Sequence, residues 1–121
     1  MCSPSERMSP AEKSVYEYLN SRKVKCFYEF PVALFDEQKH IRLWYPDFYL
    51  PSLGVYLEVC GTEKDKKEKY RRQQLFKEND IPILFLHCYK EDTKWTVFLD
   101  NLIHELEKDR QLEAQKLMVD F

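Results

Sequence analysis

Two carboxylates stand where apolar residues are expected, Asp47 in the run YPDFYL and Glu58 in VYLEVCG. Both runs have the two-residue period of a β-strand. Between them, Pro51, Ser52, Leu53 and Gly54 supply turn chemistry, with Gly54 free to take positive φ. A hairpin over residues 42–61 therefore sets the two acids side by side. Buried carboxylates repel each other, so one protonates or both share a cation. A hard divalent metal, which prefers oxygen ligands, resolves the conflict most cheaply. Plainer readings exist for each: a Pro-Asp pair commonly caps a turn, and a strand Glu on a solvated face is ordinary in antiparallel sheets.

The elements that must position this pair can be read outward from it. Ser9-Pro10-Ala11-Glu12 has the form of a capping box that opens a helix running to about Arg22. Met8, Val15 and Leu19 mark its apolar face, and Glu12 shares that face. Glu12 is thus a third candidate carboxylate, although the capping box alone explains a Glu there. Cys26–Phe35 and Ile41–Leu50 read as strands joined by a polar loop, with Pro31 placing the first near an edge. Val55–Cys60 is the third strand. Thr62–Asn79 reads as a charged helix in which Arg72 lies on the side that Leu75 buries; its plainer role is an ion pair with Glu68 one turn earlier. The apolar run IPILFL, Ile81–Leu86, fits a central parallel strand. A last helix starts near Asp92 or Thr93 and reaches about Arg110, with Trp95, Phe98, Leu99, Leu102, Ile103 and Leu106 as its stripe.

The order α-β-β-β-α-β-α predicts an α/β fold, a mixed sheet with helices on both faces. At 121 residues a single core is expected, with an arm over 1–8, a domain over 9–110 and a helical tail over 111–121. Leu117, Met118, Val119 and Phe121 in that tail need a covering surface, which makes the C-terminal helix and tail a candidate homodimer contact. No run has the length of a membrane span, and the polar opening lacks a signal-peptide pattern. The cysteines, Cys2, Cys26, Cys60 and Cys88, form no CxxC pair, so free thiols in a reducing, cytoplasmic interior are expected. Net charge is −2 and announces no nucleic-acid binder. Locally, however, Lys64, Lys66, Lys67, Lys69, Arg71 and Arg72 crowd the start of the charged helix, at the mouth of the proposed site. Such a cluster is usually a solvated face, but here it is placed to track a phosphate backbone.

PD at the end of one strand, ExC in the next, and the helix and strand order around them resemble the PD-(D/E)XK nuclease superfamily, which has the restriction-endonuclease-like fold. The likeness spans roughly Ser9 to Arg110. It implies magnesium-dependent hydrolysis of phosphodiester bonds without saying which nucleic acid; DNA rather than RNA is expected, with magnesium or manganese as the ion. On this resemblance Asp47 and Glu58 are metal ligands and catalytic residues, and Glu12 matches a first-helix glutamate that completes the metal shell. The motif's lysine has no counterpart, because Cys60 occupies its place, and a thiol is neither a hard ligand nor a cation. In some branches the basic residue comes from the following helix. Arg72 is then the candidate, followed by Lys69 and Arg71, and it would stabilise the phosphorane, since a guanidinium cannot act as a base. The alternative is a nuclease-fold module that binds nucleic acid without cleaving it, with Cys60 as the trace of the lost chemistry.

Overall fold

The computed structural model describes residues 7–60, 66–88 and 94–119, without the side chains of Lys66, Lys67, Lys94, Arg110, Ala114 and residues 116–119. The chain divides into two compact units, Met1–Glu91 and Asp92–Phe121. Helix α1 (Pro10–Ser21) opens on the expected capping box, with Ser9 Oγ accepting from the Glu12 N–H and Glu12 Oε1 accepting from the Ser9 N–H. It buries Val15 and Leu19 completely. Six strands follow: β1 (Phe27–Tyr28), β2 (Val32–Phe35), β3 (Ile41–Trp44), β4 (Phe48–Leu50), β5 (Val55–Cys60) and, after helix α2 (Lys66–Glu78), β6 (Ile83–His87). The second unit contains helix α3, Lys94–Val119, which runs through Arg110 without a break. Phe98, expected in its apolar stripe, is 49% exposed.

The architecture is α/β with a mixed sheet and three helices among the described residues. The main sheet has the order β1-β4-β5-β6, antiparallel except for the parallel β5–β6 pair that the α2 crossover allows. Two sequence expectations change here. Cys26–Phe35 and Ile41–Leu50 are each two strands rather than one, and β2 pairs with β3 in a separate two-stranded sheet. Both breaks fall at prolines, Pro31 and Pro46, which have no N–H to give a ladder; Glu29, beside the first break, takes a positive φ of 53°. The second correction concerns β6, which is parallel as expected but lies at the edge of the sheet. Its apolar run reflects half-buried side chains on both faces, Ile83, Leu84 and Phe85, and carries no information about neighbours in the plane.

Alternation along β4 and β5 assigns each helix of the first unit a face. Phe48 pairs with Leu57 and Leu50 with Val55, all buried, and Tyr16 of α1 stacks on Phe48. Tyr49 pairs with Tyr56 on the opposite face, where Phe76 of α2 meets Tyr56 edge-on. The hairpin β2–β3 lays Leu34, Val32 and Trp44 against Leu75 and Phe76 of α2. Leu50 accepts from Leu53 and Gly54 in the expected turn, where Gly54 has φ 67°.

Candidate active site

The β4–β5 register, continued one step beyond Phe48–Leu57, sets Asp47 opposite Glu58. A further step would pair Val59 with Pro46, which cannot return a hydrogen bond. The ladder therefore stops, and the Val59 N–H is taken instead by Asp47 Oδ2 at 2.7 Å. Asp47 also accepts at its carbonyl from Glu29 N–H at 2.9 Å, which ties β1 to the same bend. Asp47 is thus fixed where β4 leaves the sheet, beside the neighbouring strand's Glu58.

Both acids are mostly withdrawn from water, and the Glu58 side chain is only 13% exposed. Burial pushes the Asp47 carboxyl up to about 6, against the pull of the Val59 N–H, and the charge of Glu12 adds to the rise. Burial likewise pushes Glu58 up to about 7, with the charge of Asp47 next in weight and Arg72 opposing. The three carboxylates therefore feel one another. Arg72 Nη1 reaches Glu58 Oε2 at 3.4 Å, while its guanidinium lies over the Trp44 ring at 5.2 Å from the centroid. The i,i+4 contact with Glu68 is longer, 3.8 Å.

Glu12 does two things. Its Oε1 closes the capping box, and its Oε2 is buried without a hydrogen-bond partner. The Tyr28 hydroxyl stands close by: burial, a hydrogen bond with Glu12 and the charges of Glu12 and Glu29 raise its pKa. An orphaned buried carboxylate oxygen costs free energy and is the kind of atom a ligand or ion relieves. Chemically, carboxylate oxygens of this kind fit a hard divalent ion. Geometrically, no group of three His, Cys, Asp or Glu side chains is drawn together to hold one among the described residues. Asp47 and Glu58 stand opposite each other by register, and the charge of Glu12 acts on both.

Compared with known proteins, the chain matches no family profile, no curated protein and no solved structure. Cys60 is buried, and burial pushes its thiol up, with a hydrogen bond from Lys69 partly offsetting the rise. Three contacts thus run antiparallel between α2 and β5: Lys69 with Cys60, Arg72 with Glu58, and Phe76 with Tyr56. Residues three or four apart on a helix face residues two apart on a strand, because the two spacings are close to equal in length. The sequence assigns Lys69 to a phosphate backbone; in the structure its ammonium acts on the Cys60 thiol. Cys88 adds a half-buried thiol: its N–H donates to the Cys60 carbonyl at 2.8 Å, and burial with Cys60 nearby pushes its own thiol up to about 11.

Of the rest of the basic cluster, Arg71 is the member whose side chain is described. Arg71 grips Glu37 with two bonds, 2.7 and 3.2 Å, so it fastens α2 to the β2–β3 turn. Lys64 lies outside the described residues, as do the side chains of Lys66 and Lys67. Trp44, in β3, is the platform under Arg72. No helix among the described residues is long and apolar enough to cross a membrane.

Proposed function

We propose that the chain is a metal-dependent nuclease of the PD-(D/E)XK kind that hydrolyses phosphodiester bonds in DNA. The observation that carries the reading is the facing pair Asp47 and Glu58, held at one end of the β4–β5 ladder and both raised in pKa by burial, Glu58 further by the charge of Asp47 and Asp47 by that of Glu12. Asp47 and Glu58 would hold the metal, magnesium or manganese, and Glu12 Oε2 is the free oxygen left to complete its shell. Bound there, the ion supplies Lewis acidity toward a phosphate oxygen and makes a water more acidic. The chain's own groups supply the rest. Asp47, locked by the Val59 N–H, keeps one carboxylate orientation. Arg72, held over the Trp44 ring, would present guanidinium donors toward the charge that develops on phosphorus. Lys69 brings an ammonium to the position that Cys60 leaves without one.

A second reading, a module that binds DNA without cutting it, draws support from the Arg72–Glu58 pair, which fills a ligand position with a cation of the protein itself. One experiment separates the two. Incubation with single-stranded, duplex and branched DNA and magnesium or manganese should give cleavage that Asp47→Ala and Glu58→Ala abolish. Cleavage unchanged in both variants would assign the activity to another site or a contaminant. Absence of turnover in wild type, with activity gained in Cys60→Lys, would favour the binding module.

A further inference from the structure

The hairpin β2–β3 has its alternation inverted on the side away from α2. Cross-strand pairs share a face, so Ala33 with Leu43 and Phe35 with Ile41 form one surface, while Val32, Leu34 and Trp44 form the other, packed on the core. A solvated face normally carries polar side chains. Here Ile41 is 69% exposed, Leu43 62%, Phe35 53%, and Tyr45, next in the alternation, 58%.

From this surface we infer that the outer face of the β2–β3 hairpin is where a second copy of the chain docks. Three features favour that occupant. First, no charged side chain among the described residues stands within the face itself, and two charged pairs beside the hairpin are neutralised within the chain: Arg42 Nε donates to Asp36 Oδ2 at 2.9 Å, and Arg71 is paired with Glu37. A nucleic acid or an acidic or basic peptide calls for opposite charge at the rim, whereas a neutral apolar face suits its own copy. Second, the face is self-complementary in size. Small Ala33 lies directly beside Leu43, so under a two-fold axis the Leu43 side chain of each copy covers Ala33 of the other. Third, these side chains leave roughly 500 Å² of apolar surface, at the upper end for a lone monomer. Doubled, this is about 1,000 Å², where specific interfaces begin.

Pairing is face to face. The outer backbone edge of β2 is closed at Phe35, whose N–H and C=O both bond to the Asn79 side chain, at 2.8 and 2.9 Å. Strand addition at that position is therefore blocked.

Light scattering and sedimentation of the full chain over a range of micromolar concentrations test the inference. Wild type should have twice the chain mass at the upper end. Leu43→Glu and Ile41→Lys, both on exposed positions and checked for an unchanged circular dichroism spectrum, should be monomeric, with association weakened at least about 100-fold by burying a charge. Val97→Glu, at a 59% exposed position on α3, should leave the dimer intact. A wild type that stays monomeric overturns the inference, as does a dimer that survives both hairpin variants or that Val97→Glu dissociates. None of these outcomes depends on nuclease activity, so the inference stands or falls separately from the proposed function.

Discussion

Asp47 and Glu58 bind their protons more tightly in the folded chain than an unfolded carboxyl does, so the pair has a definite effect on stability against pH. For a group whose folded pKa is raised, the stabilising contribution is complete below the unfolded value and is lost as pH rises through the folded one. Asp47 at about 6 and Glu58 at about 7 place that loss between about pH 4 and about pH 7. Its size is on the order of 3 kcal/mol for the coupled pair, or roughly 10 °C in Tm. Asp36 acts in a lower window, because the Arg42 guanidinium and backbone N–H groups hold it at about 2. Melting measured without divalent metal should therefore show Tm falling from about pH 4 to about pH 7. Asp47→Asn, which keeps an acceptor for the Val59 N–H, should flatten the curve and raise Tm at the alkaline end. A curve as steep in the variant as in wild type would mean that other groups set the slope.

Among the elements, the β2–β3 hairpin is the piece most dependent on a few contacts. Asn79, just past the end of α2, bonds both backbone groups of Phe35 and also donates to the Leu75 carbonyl at 2.7 Å. Phe35 is exposed, so water replaces part of what Asn79→Ala removes. The expected cost is about 1–2 kcal/mol in urea unfolding with unchanged m, together with faster amide exchange in β2 and β3. A cost near zero would show that Leu34 and Trp44 dock the hairpin unaided. This element also marks how far the sequence could be read. The helix start at Ser9, the turn at Gly54 and the acids at 47 and 58 were legible because each depends on near neighbours and a fixed period. The splitting of two long runs at Pro31 and Pro46 was signalled by residue type, but which sheet each half joins depends on distant pairing. The edge position of β6 was not legible, since burial of side chains does not reveal in-plane neighbours. Nor was the Lys69–Cys60 contact, although i,i+3 on α2 against i,i+2 on β5 is a spacing that could have suggested it.

At the scale of the whole molecule, charge limits how a DNA substrate can be held. The net charge of −2 gives no long-range attraction, and two arginines of the basic cluster are paired internally, Arg71 with Glu37 and Arg72 with Glu58. Lys69 is engaged with Cys60. Under the proposed function, phosphate contacts then fall to the lysines at 64, 66 and 67, which gives few counterions to release. Each neutralised phosphate contributes about −0.9 to the slope of log K against log salt, so a slope of about −3 is expected. Alanine at Lys66 or Lys67 should reduce its magnitude by about 0.9 each, whereas Arg71→Ala should leave the slope unchanged and loosen the hairpin instead. Fluorescence anisotropy with a labelled oligonucleotide in calcium, across a salt series, measures this directly. A slope much steeper than that, or one that Arg71→Ala reduces, would mean that the Glu37 pair opens on binding and that its arginine is part of the nucleic-acid surface.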